Sequence, residues 1–526
     1  MKRGIRGGAG HYGLAPLSVS CKLEAALGTI TIVGLGPGNP EHLTREAWDV
    51  LSQASEVWLR TERHPTVVGF PPGVTIRALD YIYEGTDRFS DVYQAIADRI
   101  LELGERPEGV VYAVPGHPLV GEATVTAILS RARRAGLPTR IIGGLSFVEV
   151  TLTALGLDAL DGLQIGDAIA VASCHHPPLN PDLPALLGQL HSRALASAVK
   201  LTLMNQYPDE HEIALIFAAG TDEEHVARRP LYQMDRSGTI SADQSHLVTL
   251  YVPPCQNVTS FEGLQETVAT LRAPNGCPWD RAQTHESLRS GLLEEAYEAV
   301  SAIDEDDVAG LQEELGDLLL QIVLQTQIAT EAGEFRMLDV IAGIDAKLKY
   351  RHPHVWGDTD VEDAGEVLHN WEELKRAEKS DRTSILDGVP AALPALQQAH
   401  TYGARAARVG FDWSSVAGVV EKTREEMAEL EEARTQQRQE AELGDLLFAV
   451  ANWARWLGVE PETALREANS RFARRFGYLE AETRRRGLQI EDLSIDTLEG
   501  FWQAAKALEG EDNTIHRSGE EQAARG

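Results

Sequence analysis

Long apolar runs are missing from this chain: no stretch is long enough to cross a bilayer as a helix. Cysteine is scarce. The four cysteines, Cys21, Cys174, Cys255 and Cys277, show no ligand spacing. They read as free thiols in a reducing compartment, with the bacterial cytoplasm as the expected location. Positive charge is also short, with 48 Lys and Arg against 80 Asp and Glu and a formal charge of -32. That balance excludes a general nucleic-acid binder and a partner of anionic membranes, but not a nucleotide held through metal ions. The opening Met1–Leu27 lacks a clean apolar signal core and reads as a loose tail.

What is present, at 526 residues, is material for three or four domains. The most informative stretch is Glu425-Glu426-Met427-Ala428-Glu429, followed by Glu442-Leu443-Gly444-Asp445. Residues three or four apart share a helix face, so Glu426 and Glu429 point one way with Glu425 beside them, and Glu442 and Asp445 form a second pair. Two such helices folded antiparallel bring four carboxylates together, and the apolar run Leu446–Val450 predicts that this face is partly buried. Crowded carboxylates repel, so one takes a proton or the group holds a cation. An all-oxygen donor set suits Mg²⁺ or Mn²⁺. A single Glu-rich run is more often a solvated helix face, but here the arrangement occurs twice. Glu294-Glu295-Ala296-Tyr297-Glu298 precedes Glu314-Leu315-Gly316-Asp317, and both second elements continue as Leu-Gly-Asp-Leu-Leu.

The first half has a different texture. Strand patterns at Thr29–Leu35, Glu56–Leu59, Val110–Val114 and Thr139–Ile142 alternate with helical patterns at Leu43–Ala54 and Ala123–Ala135. This predicts an α/β domain with a largely parallel sheet and ligands at the carboxyl ends of its strands. Glycine-containing turns fall at those ends: Gly34-Leu35-Gly36-Pro37-Gly38, Pro115-Gly116-His117-Pro118 and Gly143-Gly144-Leu145-Ser146. Each alone is an ordinary tight turn. Together, with Leu43-Thr44 and Tyr112-Ala113-Val114, they resemble the tetrapyrrole (corrin and porphyrin) methylase family over about Gly28–Pro253. The resemblance implies two α/β lobes with S-adenosylmethionine between them. It places the cofactor against Gly36, Pro37, Gly38, Pro115, Gly116, His117, Pro118 and Ser146, and implies a small-molecule methyl acceptor. The family's biosynthetic methylases usually carry Gly-Asp-Pro where this chain has Gly116-His117-Pro118, and His117 either lines the cofactor site or satisfies the turn. The second lobe is expected from strands at Ala168–Ala172, Ala198–Met204, Ile213–Ala218 and Leu247–Val252. Thr61-Glu62-Arg63-His64-Pro65-Thr66 resembles the branch of the family that is fused to a nucleotide hydrolase.

After Pro253-Pro254 the strand patterns stop and amphipathic helices begin, starting at Phe261–Leu271. Pro390 and Pro394 separate two similar halves. Lys347 and Arg351 match Arg471 and Arg475, and Trp371 with Lys375 matches Trp502 with Lys506, so one helical module is repeated in tandem. In each, carboxylates that suit a divalent ion come first, then cations that suit phosphate oxygens, then a tryptophan able to stack on a base. That order describes a nucleoside triphosphate site. The segment from about Ser260 to Glu509 resembles MazG, an all-α nucleoside triphosphate pyrophosphohydrolase. The residues that carry this are Gly276-Cys277-Pro278-Trp279-Asp280, both acidic motifs, Arg351–Val355, Val409–Trp413 and Asn469 with Arg471–Phe476.

The whole chain therefore resembles fused tetrapyrrole methylase/MazG proteins. The expected fold is multidomain: a tail at 1–27, a two-lobed α/β methylase-like domain at 28–253, all-α modules at 254–389 and 390–510, and a tail at 511–526. By the family's pattern the metal ligands are Glu295, Glu298, Glu314 and Asp317 in the first module and Glu426, Glu429, Glu442 and Asp445 in the second. The nucleotide-binding residues are Lys347, Arg351 and Trp371 in the first and Lys422, Arg471, Arg475, Trp502 and Lys506 in the second. The general base is left open between Glu425 and Glu294. His352 and His354, with Pro353 between them, read as a structural turn. The resemblance implies conversion of NTPs or dNTPs to monophosphate and pyrophosphate with Mg²⁺ or Mn²⁺, and a homodimer. An S-adenosylmethionine-dependent methyltransferase with a regulatory helical part is the alternative. Lys422 aligns with Gly291, which predicts that the second module carries most of the hydrolysis.

Overall fold

The computed structural model describes residues 28–83, 89–236, 248–377 and 384–508. The tails expected at 1–27 and 511–526, with Cys21, lie outside these residues. Among the described residues no helix is long and apolar enough to cross a membrane. The chain forms two compact units, one ending at Ile341 and the other beginning at Ala342. This division falls within the helix Met337–Arg351, well after the change from strands to helices that follows Val252.

The first unit opens with a five-stranded sheet: β1 (Ile30–Gly34), β2 (Glu56–Leu59), β3 (Thr75–Ala78), β4 (Val110–Val114) and β5 (Thr139–Ile142), in the order β3-β2-β4-β1-β5. Every neighbouring pair is parallel, as the alternation of strands and helices predicts. Ile30 stands opposite Val110 and Thr139, so the glycine turns that follow β1, β4 and β5 emerge along one edge. Apolar residues on both sides of β1 are buried because helices cover both faces. Ile96, Ile100 and Ile128 pack against Ile30 and Ile32, while Ala47 and Leu51 pack against Val33.

The second sheet is β6 (Gln164–Asp167), β7 (Ala185–Gly188), β8 (Glu212–Phe217), β9 (His225–Pro230) and β10 (Val248–Val252), in the order β6-β7-β10-β8-β9. Here only β6 and β7 run parallel; the other neighbours are antiparallel. Two segments expected as strands are helices. Ala168–Ala172 starts at an Asp167 cap that accepts the Ile169 N–H, and buries Ala168 and Val171, three apart, while Ile169 is exposed. Ala198–Met204 lies in and just past the helix Arg193–Leu203, capped by Ser192, which buries Ala196, Val199 and Leu203 and leaves Leu201 exposed. Short apolar runs do not distinguish strand from helix; the caps and the three-to-four spacing decide it. The strands that complete this sheet, β6, β7 and β9, fall where the sequence pattern is weak.

The helical part of the first unit contains α1 (Phe261–Arg272), α2 (Arg289–Asp304) and α3 (Val308–Ala332), followed by α4 (Met337–Arg351), which crosses the division. Ser260 caps α1 by accepting the Gly263 N–H at 2.9 Å. Val268, Leu288, Val323, Leu324 and Met337 form a small core beneath α1 and α3. α2 and α3 make a hairpin, with Asp307 accepting the Ala309 and Gly310 N–H groups at the start of α3. The second unit contains α5 (Ala364–Ala377), α6 (Ala395–Ala407), α7 (Val416–Glu432), α8 (Gln436–Trp456) and α9 (Pro461–Arg485), then a helix over 495–508. α7 and α8 repeat the hairpin, with Thr435 capping α8.

Candidate metal centres

Each hairpin brings three of its expected metal ligands together. Carboxylate oxygens of Glu295, Glu314 and Asp317 lie within 4.8 Å of one another, as do those of Glu426, Glu442 and Asp445. The helix period places them: Glu314 and Asp317 are three apart on α3, Glu442 and Asp445 three apart on α8, each facing a glutamate of the preceding helix. Glu298 and Glu429 stand beside these groups, close enough to act on their charge. Burial, then Asp317 and Glu298, raise the Glu295 carboxyl above its ordinary range. Burial, then Glu298, Asp317 and Glu295, raise Glu314. Burial, then Glu442 and Glu426, raise Glu429. Carboxylates whose protons are held this way are a donor set that a hard divalent cation would relieve, so the residues present fit Mg²⁺ or Mn²⁺.

The two centres differ in their surroundings. Glu426 is buried, whereas Glu295 and Glu314 are half-buried and Asp317 and Asp445 are exposed. Lys422 Nζ lies 2.8 Å from Glu426 and 2.9 Å from Glu425, and these bonds hold its ammonium above the ordinary lysine range. The candidate base Glu425 is therefore paired with Lys422, while Glu294 is exposed. In the first hairpin Gly291 leaves that place to Gln321 of α3, which hydrogen-bonds Glu295; a Cβ on Gly291 would lie 3.0 Å from its Nε2. The apolar run after Asp445 is less covered than expected: Leu447, Phe448 and Val450 are exposed, as are Leu315, Leu319 and Ile322 on α3.

Of the expected nucleotide-binding cations, Arg351 and Arg475 lie over the two expected tryptophans. The guanidinium of Arg351, a buried residue, lies 5.3 Å from the Trp371 ring centre and Lys375 Nζ 4.5 Å from it. Arg475 lies 5.7 Å from the Trp502 ring centre, and Phe472 packs on that ring at 5.2 Å. Arg471 pairs with Glu467 at 3.5 Å, and Lys347 and Lys506 are exposed. His352 begins the short helix Pro353–Trp356 and its ring lies 5.7 Å from that of His354. Cys174, Cys255 and Cys277 are free.

In the α/β part the three glycine turns converge. Gly36 and Gly116 exchange backbone hydrogen bonds at 2.8 and 3.2 Å. A Cβ on Gly34 would lie 2.6 Å from the Gly116 carbonyl and 2.8 Å from the Gly144 nitrogen, so glycine is required for this approach. His117 Nδ1 accepts the Leu119 N–H, which places the proton of the neutral ring on Nε2, beside Gly143. Ser146 caps the following helix and donates to Glu149; burial pushes the Glu149 carboxyl up, but these hydrogen bonds outweigh it and hold it below its ordinary range. The backbone cradle fits a small ligand such as S-adenosylmethionine. Two features were not visible in the sequence. His42 lies between Gly36 and Gly220 with its buried Nδ1 unbonded, and the turn it touches includes Ala218 at φ 46°. Glu122, fully buried, receives hydrogen bonds from Arg60 and Thr124, with Arg60 also donating to Tyr83. The only signal was Thr61–Thr66, which follows Arg60; its Thr66 hydroxyl donates to the Leu35 carbonyl beside the first glycine turn.

Comparison with known proteins agrees with this architecture. Residues 29–235 match the model of the tetrapyrrole (corrin/porphyrin) methylases, and residues 283–356 match the model of the MazG nucleotide pyrophosphohydrolase domain. The uncharacterized protein YabN of Bacillus subtilis (strain 168) is 40% identical over 492 residues, covering 92% of this chain and 99% of YabN. The nucleoside triphosphate pyrophosphohydrolase/pyrophosphatase MazG of Thermotoga maritima is 45% identical over 247 residues, 47% of this chain and 95% of that protein. The nucleoside triphosphate pyrophosphohydrolase of Escherichia coli (strain K12) is 44% identical over 260 residues, 48% of this chain and 99% of the enzyme. The chain belongs to the family in which a tetrapyrrole methylase domain is joined to a MazG nucleotide pyrophosphohydrolase domain.

Proposed function

We propose that this chain is a nucleoside triphosphate pyrophosphohydrolase, cleaving NTPs or dNTPs between the α- and β-phosphates to give monophosphate and pyrophosphate. The observation that carries the proposal is the repeated helical hairpin with converging carboxylates in a chain whose relatives of that name match nearly end to end. Glu426, Glu429, Glu442 and Asp445, and in the first hairpin Glu295, Glu298, Glu314 and Asp317, would hold divalent ions. Mg²⁺ or Mn²⁺ there supplies a polarised α-phosphoryl group and an attacking water of lowered pKa. Lys422, Arg471, Arg475 and Lys506 take up phosphate charge, Lys347 and Arg351 doing so in the first module, and Trp502 and Trp371 offer ring faces to a base. Glu425 or Glu294 accepts the proton of the water. The exposed Leu315, Leu319 and Ile322 on α3 support a homodimer that buries them.

The domain boundaries stay at 253/254 and 389/390. The glycine cradle and the unbonded His42 Nδ1 favour S-adenosylmethionine, or its demethylated product, in the α/β part, with a small-molecule methyl acceptor. The charge of -32 favours neither nucleic-acid nor membrane partners, and the expected location is the cytoplasm.

The test is product analysis of the purified full chain with a panel of NTPs and dNTPs. Monophosphate plus pyrophosphate, lost in chelator and restored by Mg²⁺ or Mn²⁺, is expected. Orthophosphate plus diphosphate would sink the reading, and full turnover in persistent chelator would remove the metal from it.

A further inference from the structure

The two hairpins carry the same carboxylates, but different groups face them. In the second, the Lys422 ammonium reaches along one helical turn to Glu426, with Nζ 2.8 Å from an oxygen of that carboxylate, which belongs to the converging set. In the first, the corresponding residue is Gly291, and the neutral amide of Gln321 fills the space from the opposite helix. Matching Glu314 with Glu442 puts Gln321 opposite Ala449. The same volume is thus filled by a cation from α7 in one hairpin and by an uncharged group from α3 in the other.

We propose that Lys422 is an internal counter-ion that occupies Glu426 until a nucleotide arrives, so that the second hairpin takes up its divalent ion together with the triphosphate rather than before it. The proposal rests on the metal-dependent reading above. An ammonium and a divalent ion on one carboxylate repel strongly at this range, so the ammonium must leave for the ion to bind. When a bare ion arrives, Lys422 gives up its two carboxylates and gains only water. When the ion arrives with a triphosphate, Nζ exchanges a carboxylate oxygen for a phosphate oxygen. The lysine side chain is unbranched and partly exposed, so this swing needs no backbone movement. Ion and nucleotide are thereby coupled, each raising the affinity of the other. In the first hairpin the described group at that place is the neutral Gln321, so no ammonium has to leave Glu295 for an ion to bind.

Mn²⁺ is the probe, counted by electron paramagnetic resonance on the full chain carrying Glu295→Gln to quiet the first hairpin. Titrations are run with and without an NTP analogue whose α–β bridge cannot be hydrolysed. The expected result is weak Mn²⁺ binding alone and binding at least about tenfold tighter with the analogue. Adding Lys422→Met should tighten analogue-free Mn²⁺ binding by about tenfold, the scale of removing one partly buried ion pair, and shrink the coupling. Lys422→Arg should keep the coupling. If Lys422→Met, folded by circular dichroism, binds analogue-free Mn²⁺ no better than its parent, the counter-ion role is overturned. If the unsubstituted chain binds no Mn²⁺ even with the analogue, the metal reading falls, and this proposal with it.

Discussion

The first and second hairpins place carboxylates at the same spacing on the same kind of helix pair, yet they are different electrostatic objects. The second buries Glu426 and sets a lysine against it; the first half-exposes Glu295 and Glu314 and sets an amide against Glu295. Ligand geometry is therefore not enough to identify the working site. Charge around the ligands decides how they behave before and during the reaction, and a cation aimed at a phosphate is worth about a hundredfold or more in rate.

The largest expected effect tests that contrast directly. Glu426→Gln should reduce pyrophosphate release by about a hundredfold or more, because it removes a ligand and the partner of Lys422. Glu295→Gln should leave much of the activity. The measurement is pyrophosphate release by both variants at saturating Mg²⁺, after melting curves show that both are folded. Equal losses would mean that the hairpins act as one unit, and the reverse order would move the working site to the first.

A smaller effect concerns stability and pH. Glu295 and Glu314 in the first hairpin have raised pKa values, and so does Glu429 in the second. The folded chain then binds more protons than the unfolded one between the ordinary carboxylate range and the raised values. Stability from this source is fully present below that window and is lost as pH rises through it. Without divalent ions, these groups should add a downward slope to the melting temperature as pH rises from about 4 towards neutrality, opposing the upward slope from carboxyls held low such as Glu482, Asp412 and Asp182, and Mg²⁺ should flatten that downward contribution. Glu295→Gln should flatten it in the ion-free chain and raise the neutral-pH melting temperature by about 1–3 °C. A slope unchanged by both Mg²⁺ and the substitution would show that the first hairpin's carboxylates are not in conflict.

The parts of this molecule that could be read from sequence are those where one local rule acts alone. The acidic hairpins were legible because helix period and loop length suffice to bring Glu426 to Glu442 and Asp445. The glycine turns were legible because only glycine permits the approach of Gly34 to Gly116 and Gly144. Ala168–Ala172 and Ala198–Met204 were misread because short, mostly apolar runs fit either period, and the decisive signals were the caps Asp167 and Ser192. The pairing of Arg60 with Glu122 was invisible because it joins residues 62 apart through the order of strands β2 and β4, which no local pattern reports. Gln321 was missed for a related reason: its importance lies in the glycine it faces on another helix.

The smallest expected effect separates the modules by their anchorage. In the first, α1 is tied to the preceding α/β lobe by Asp182, whose carboxylate accepts hydrogen bonds from the backbone and hydroxyl of both Thr259 and Ser260. The corresponding α6 of the second module begins at Pro394 with no side-chain cap. Burial pushes the Asp182 carboxyl up, but the bonds from Ser260 and Thr259 outweigh it and hold it below its ordinary range. Its contribution is therefore present above the unfolded pKa and lost as pH falls through the lower folded value. Asp182→Asn keeps the size but replaces one accepting oxygen with a donor, which sets N–H against N–H. A cost of about 1–2 kcal/mol is expected at neutral pH, shrinking in acid. Hydrogen exchange should quicken at Ser260–Leu271 and stay unchanged in α6, while pyrophosphate release changes less than about twofold. If activity instead falls in step with the loosening of α1, the first module's seat on the α/β lobe matters to hydrolysis, and the division of labour drawn between the two hairpins fails.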